Sequence, residues 1–129
     1  MSKVPADLKY TKSHEWIKDA RDGSLTIGIT DHAQEALGDI VFVEVPQKGR
    51  TLAAGEACAV VESVKAASDI YSPVAGEVLE GNVGLSDAPE KINADPYGTW
   101  ILRIKPASPA DLKALLDAKA YEQVLKDEA

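Results

Sequence analysis

The chain has 129 residues, of which 45% are hydrophobic, and its formal net charge is −7 at pH 7. The length predicts a single domain, and the composition excludes both a disordered chain and one that crosses a membrane through a long apolar run. The acidic charge argues against nucleic acid or an anionic membrane as the partner. It suits a soluble protein that meets basic rims on larger enzymes.

A single cysteine, Cys58, excludes an internal disulfide and fits a reducing cytosol. It lies in an apolar run, which favours a small buried thiol over a nucleophile. The N-terminus has neither a signal-peptide pattern nor an Arg-rich transit peptide, so a cytoplasmic location is expected.

Short strands separated by turns make up most of the predicted structure. The expected strands cover residues 16–17, 25–29, 40–45, 74–80 and 99–105. Asp22-Gly23 is a hairpin turn signal between the first two strands. Such short runs with frequent turns are typical of antiparallel sheets. The strand at 40–45 alternates, so one face would carry Val41, Val43 and Val45 and the other Ile40, Phe42 and Glu44.

Helices are predicted in three other places. Asp31 as N-cap, with Gln34 three residues later, begins a short helix that Gly38 ends. Residues 86–92 have room for one helical turn. Ser108 and the Pro109 and Asp111 that follow it are a helix start signal near the C-terminus. The apolar face of that C-terminal segment would consist of Leu112, Leu115, Leu116, Tyr121, Val124 and Leu125.

The most informative segment is Glu62-Ser63-Val64-Lys65-Ala66, which sets one lysine among small or neutral neighbours. A lysine amine is a compact nucleophile on a flexible stem, and acylation turns it into a neutral amide on a long tether. On a helix, Glu62, Lys65 and Asp69 would form an ordinary ion-pair ladder. The β-branched residues around them, between Gly55 and Pro73, favour a hairpin instead. Periodicity leaves both structures open.

The same lysine segment, with Asp69-Ile70-Tyr71-Ser72-Pro73 and Gly76-Glu77-Val78 after it, resembles the lipoyl-lysine hairpin of the glycine cleavage system H proteins. The resemblance covers about residues 5–126. Other stretches resemble that family in order and spacing: His14-Glu15-Trp16, Gly28 to Ala33, Leu37-Gly38-Asp39, Val45-Pro46 with Gly49, Pro96-Tyr97 with Trp100, and a helical tail with Leu115-Leu116 and Tyr121.

Neighbouring carrier families differ around the lysine. Biotin carriers have methionines on both sides of it, where this chain has Val64 and Ala66. Lipoyl domains of the 2-oxo acid dehydrogenases typically carry an aspartate at the position of Val64. A biotin-type or 2-oxo acid dehydrogenase carrier domain is therefore an alternative, as are an H-like protein that relays lipoyl groups to other complexes and an unmodified interaction module.

The resemblance implies a fold that is mainly β with short helices. It would be a barrel-sandwich hybrid of the lipoyl/biotinyl-carrier (hammerhead) type, with the lysine on a hairpin turn and a C-terminal helical segment. Residues 1–129 would form a single lipoyl-carrier domain, with a core at about 10–106 and C-terminal helices at about 109–126.

The resemblance also implies a carrier and not an enzyme. Lys65 would hold lipoate in amide linkage, and Glu62, Ser63, Val64 and Ala66 would guide the lipoylating enzymes. The chain would move the aminomethyl group of glycine from a PLP-dependent glycine decarboxylase to an aminomethyltransferase, and electrons to dihydrolipoamide dehydrogenase. Glu15 and Asp69 match family positions near the cleft that shelters the arm, and at least one of them would bond its amine. A monomer is expected.

Ordinary catalytic or metal-binding patterns are missing from the sequence. His14 and His32 are the only histidines, and with a single cysteine they do not form a recognisable set of structural zinc ligands. We therefore predict no catalytic residue and no metal site.

Overall fold

Two antiparallel sheets carry most of the described structure. The computed structural model describes residues 4–19, 23–108 and 115–128. Its strands are β1 (Lys9–Tyr10), β2 (Glu15–Asp19), β3 (Leu25–Ile29), β4 (Ile40–Glu44), β5 (Thr51–Leu52), β6 (Ala57–Ser63), β7 (Ala67–Tyr71), β8 (Gly76–Gly81) and β9 (Leu102–Pro106). Its helices are α1 (Asp31–Leu37), a 3-10 turn η1 (Val83–Ser86), α2 (Lys91–Ala94) and α3 (Ala118–Glu128).

The larger sheet has the strand order β1-β2-β3-β9-β8-β5, and the smaller sheet has the order β4-β6-β7. Every pairing within them is antiparallel, as the short runs and frequent turns predicted. The predicted fold class, a mainly β barrel-sandwich hybrid with short helices, is confirmed.

One main apolar cluster lies between the two sheets. Both sheets contribute alternate side chains to it, because successive residues of a strand point to opposite faces. Its central members are Ile27, Val61, Ile70, Leu102 and Ile104, all buried. Burial of this cluster fixes the register of β6 and β7, since a slip of one residue would turn their apolar side chains outward.

A second cluster attaches the C-terminal helix to the larger sheet. The rings of Tyr10 and Tyr121 stack with centroids 4.6 Å apart, and Trp16 is buried beside them. Trp16 lies over Gly28 of the neighbouring strand, where an added Cβ would come within 2.6 Å of the indole. Only glycine therefore allows this indole to pack so closely.

The predicted alternation of residues 40–45 is wrong. A bulge between Ile40 and Phe42 shifts the register of β4 against β6. Ile40 and Val43 are buried, whereas Val41 and Phe42 are both exposed. The extra residue of a bulge interrupts the strict two-residue period, so two adjacent apolar side chains are left facing solvent.

Helix α1 begins one residue earlier than predicted. Its N-cap is Thr30, whose hydroxyl accepts a bond from the amide of Ala33, and not Asp31. Asp31 instead accepts a bond from the side chain of Gln34. Gly38 ends the helix with a φ of +81°, as predicted, because a left-handed backbone favours glycine.

The C-terminal segment differs from the prediction. Leu116 forms a β-bridge with Tyr10, and α3 begins only at Ala118, so the helical placement of Leu115 and Leu116 is wrong. The turn residue Asp22 and the predicted helix start at 109–114 lie outside the described residues. Within the described ranges, every helix is too short or too polar to cross a membrane.

Candidate functional site

Lys65 lies at the tip of the hairpin that joins β6 to β7. The ladder of this hairpin ends at the pair formed by Glu62 and Ala67, and residues 63–66 make the turn. The hairpin alternative for this segment is therefore confirmed and the helical alternative is wrong. β-branched side chains favour the two strands of this hairpin, and the turn between them leaves the lysine outside the core.

The Ser63 side chain organises the turn. Its hydroxyl accepts bonds from the amides of Lys65 at 3.3 Å and Ala66 at 3.1 Å, and it donates to the carbonyl of Ala66. The Ser63 amide bonds the same carbonyl at 2.7 Å, and the Val64 amide donates to the carbonyl of Asp39. The amides of all four turn residues thus have acceptors, which holds the backbone that carries Lys65 in a defined turn.

The stem of Lys65 lies over the end of α1. A Cβ added to Gly38 would be 3.5 Å from Cε of Lys65 and 4.0 Å from its Nζ. In the part of the chain that the structure describes, no carboxylate pairs with that ammonium group. The amine is consequently reachable from solvent and unengaged.

Several apolar side chains are exposed at the same end of the smaller sheet as the lysine. Val64 is 71% exposed, and Val41 and Phe42 are exposed on β4, next to the end of β6. Exposed apolar residues in one place are typical of a surface that another protein contacts. Glu62 and Ala66 are also exposed at this end of the hairpin.

Glu15 is buried, with 1% of its surface exposed. Its carboxylate accepts bonds from the hydroxyl of Thr11, the hydroxyl of Ser13 at 2.6 Å and the amide of Tyr71 at 3.3 Å. These three donors satisfy a buried carboxylate and tie β2 to β7 across the two sheets.

Asp69 is exposed and lines an open cavity of about 460 Å³ on the smaller sheet. Cys58 lies in the wall of the same cavity, and burial raises the pKa of its thiol to about 12, with the charge of Glu15 as a second cause. The prediction that Cys58 is a buried thiol is confirmed.

The structure also brings together three residues that the sequence analysis did not connect. His14, His32 and Glu128 place ligand-type atoms within 4.8 Å of one another. His14 and Glu128 are 114 residues apart in the chain. The only sequence signal was that the chain has just two histidines, and their spacing matches no metal motif.

Comparisons with known proteins identify the family. A profile of the glycine cleavage H-protein family matches residues 8–128. The chain belongs to this family. A glycine cleavage system H protein from Aromatoleum aromaticum is 67% identical over 122 residues, which is 95% of each chain. One from Escherichia coli O7:K1 is 59% identical over 129 residues and matches 99% of this chain and 100% of its own.

A solved structure agrees with this assignment. The crystal structure of a glycine cleavage system H protein from Mycobacterium marinum matches 98% of this chain and 100% of its own, with a TM-score of 0.86 at 40% identity. The H-protein is a lipoyl-carrying shuttle of the glycine cleavage system and is not itself a catalyst. Family membership thus sets aside the biotin-type and 2-oxo acid dehydrogenase alternatives.

Proposed function

We propose that Lys65 is the residue that carries lipoate, in amide linkage to Nζ. The observation that carries this proposal is the exposed position of Lys65 at the hairpin tip, with an ammonium group that no described carboxylate engages. An acylating enzyme needs such access, because the amine must reach the activated carboxyl group in another protein's active site.

The residues around Lys65 fit a lipoyl group. The bonds of Ser63 hold the turn, and Gly38 offers no side chain that would block the stem. When bound, lipoate supplies a dithiolane that exchanges a one-carbon unit and electrons with partner enzymes. The protein supplies the fixed base from which the arm extends, and this raises the effective concentration of the reactive sulfur in each partner's active site.

Recognition by the lipoylating enzymes rests on Glu62, Ser63, Val64 and Ala66. Ser63 acts through the shape of the turn, whereas Val64 offers an exposed apolar contact. Glu62 supplies an exposed negative charge on the strand before the lysine. These residues flank Lys65 in the chain at the end of the hairpin.

The amine of the glycine-derived cargo would bind beside Asp69 and Glu15. Asp69 is exposed in the wall of the 460 Å³ cavity, so it meets the amine first. Glu15 is buried and its oxygens already accept three bonds, so it would contribute negative charge and not a further bond to the amine. The walls of this open cavity would partly enclose the cargo, which would reduce its contact with bulk water and slow its hydrolysis.

The partners proposed for the arm are three enzymes. A PLP-dependent glycine decarboxylase would load it, an aminomethyltransferase would unload it, and dihydrolipoamide dehydrogenase would reoxidise it. The net charge of −7 suits encounters with basic rims on those enzymes, where charge raises association rates more than affinity. Each complex must be weak enough for the same carrier to visit the next enzyme.

The proposal is tested by intact mass and peptide mapping, together with reconstituted glycine decarboxylation. One lipoyl adduct is expected on Lys65, and Lys65→Arg should lose both the adduct and all support of the reaction, since a guanidinium does not accept the lipoyl amide. Lys119→Arg, at another exposed lysine, is the matched control and should retain both. Full support by Lys65→Arg would rule out the carrier site. A normal adduct without glycine turnover would indicate the lipoyl relay instead.

A further inference from the structure

His14, His32 and Glu128 come from three separate elements. His14 precedes β2, His32 lies in the first turn of α1, and Glu128 is the last residue of α3. We propose that these three side chains form a binding site for a divalent transition metal of the Zn²⁺ class. The site uses no residue of the lysine hairpin and would tie the C-terminal helix to the larger sheet.

The distances bring the ligands within range of one ion. Nε2 of His14 is 3.0 Å from Oε1 of Glu128, and the imidazole centroids of His14 and His32 are 4.7 Å apart. The three ligand atoms span at most 4.8 Å. Zinc binds imidazole nitrogen and carboxylate oxygen at about 2.0–2.2 Å. Small rotations of His32 and of Glu128, whose side chain is 43% exposed, would therefore close the site around the metal.

The second nitrogen of His14 is already positioned. Nδ1 is 2.8 Å from the hydroxyl of Tyr121, which is 2.7 Å from the hydroxyl of Thr30. Histidines that bind metal commonly use their other ring nitrogen in such a bond, which fixes the tautomer and the ring orientation. If Nδ1–H of His14 donates to the Tyr121 hydroxyl and that hydroxyl donates to Thr30, the lone pair of Nε2 is left for the metal.

The backbone also holds His14 in place. Its φ is +72°, in the left-handed region, which is uncommon outside glycine but in which histidine, asparagine and aspartate are enriched. Its amide bonds the carbonyl of Thr11, and its carbonyl accepts a bond from the amide of Thr30. Thr30 thus anchors both the backbone of His14 and, through Tyr121, its ring.

The ligand set selects a class of metal. Two imidazoles and one carboxylate suit zinc and its neighbours among the first-row transition metals, whereas Mg²⁺ and Ca²⁺ prefer oxygen ligands alone. Three protein ligands leave a position for water, and the side chain of His14 is 18% exposed, so solvent reaches the site.

Calorimetric titration of the full-length, tag-free protein with Zn²⁺ tests the proposal. Lys65→Arg is the background for every titration, because a reduced lipoyl dithiol on Lys65 would itself bind zinc. In that background we compare His32→Gln, Glu128→Gln and the matched control Glu122→Gln, which changes an exposed glutamate of the same helix. Thermal melts without metal check that each variant is folded.

One equivalent of Zn²⁺ should bind, with at least tenfold weaker binding in His32→Gln and in Glu128→Gln and unchanged binding in Glu122→Gln. Co²⁺ should give the strong visible absorption of a four- or five-coordinate site, and Mg²⁺ should not compete. Zinc binding of equal strength in His32→Gln would overturn the site. So would the absence of a bound equivalent in the folded parent protein at millimolar Zn²⁺.

Discussion

Ser63 is the residue that turns an ordinary hairpin end into a defined platform for Lys65. A single hydroxyl accepts two amide bonds and donates a third bond within four residues. A lysine at a loose turn would sample many directions, and binding to the modifying enzyme would restrict it to one of them at a cost in entropy. Holding the turn in advance removes part of that entropic cost.

Replacing Ser63 by alanine should slow lipoylation more than it destabilises the fold. We expect a several-fold slower modification of Lys65 and a free energy of unfolding lowered by only about 0.5–1.5 kcal/mol, because the lost bonds are exposed to water. Time-resolved intact mass with a lipoylating enzyme measures the first quantity, and urea unfolding measures the second.

Ser68→Ala serves as the control for this prediction. The Ser68 hydroxyl makes only a 3.5 Å contact with the carbonyl of Asp69, so its removal leaves the turn intact. Equal lipoylation rates for Ser63→Ala and Ser68→Ala would show that the turn needs no side-chain support.

At the scale of elements, Tyr121 is the central residue in the attachment of α3. Tyr121 is fully buried, its ring stacks on Tyr10, and its hydroxyl lies between His14 and Thr30. The helix itself is largely polar, with only Ala118 and Tyr121 buried. Packing of a few side chains, more than helix propensity, therefore holds α3 on the sheet.

Tyr121→Phe should lower the free energy of unfolding by about 1–3 kcal/mol. The ring stack survives, but the ring nitrogen of His14 and the hydroxyl of Thr30 lose a buried partner. Urea unfolding measures the change, and faster amide exchange in α3 should accompany it. Tyr71→Phe is the control, because Tyr71 is exposed and its loss should stay within about 0.5 kcal/mol. Equal stability of the two variants would contradict this account.

The sequence pattern predicted the positions of the strands better than it predicted the bulge in β4 or the N-cap of α1. Runs such as Leu25–Ile29 alternate or are apolar throughout, and this periodicity depends only on local residues. The bulge in β4 depends on how Ile40 and Phe42 pair with β6, which no local pattern encodes. Thr30 and Asp31 are both good N-caps, and the one that caps α1 is the one whose hydroxyl also bonds Tyr121.

The same distinction holds for the sites. Lys65 was found because its neighbours in the chain carry the family pattern, although its attachment to lipoate stays a prediction. Glu15 matched a family position, but its burial and its bond to Tyr71 come from strands of different sheets. The cluster of His14, His32 and Glu128 depends on the docking of α3, so spacing in the sequence carried no trace of it.

At the scale of the whole molecule, several buried acidic groups make the protein less stable at alkaline pH. Burial raises the pKa of Cys58 from 9.0 to about 12, and burial also raises the pKa of Tyr10 and of Tyr121. Between pH 9 and 12 the unfolded chain loses the thiol proton while the folded chain keeps it. The unfolded state then binds fewer protons, so the free energy of unfolding falls as the pH rises.

The contribution of Cys58 is separable from that of the tyrosines. From pH 8 to pH 10.5 the parent protein should lose about 2 kcal/mol more stability than Cys58→Ala, because the thiol alone differs between them. Urea unfolding at the two pH values gives this difference directly. Equal losses in the two proteins would mean that the thiol is open to solvent.

That the chain is one domain, with a core at about 10–106, remains a prediction.

The bridge between Tyr10 and Leu116 has a consequence for synthesis. Two backbone hydrogen bonds join residues near the two ends of the chain, and the larger sheet also needs β9 to complete its order. The sheet that bears Lys65 uses only strands within residues 40–71. On a ribosome, the strands of the lysine hairpin therefore emerge before the larger sheet can be completed, and packing against that sheet fixes their register only once the rest of the chain has been made.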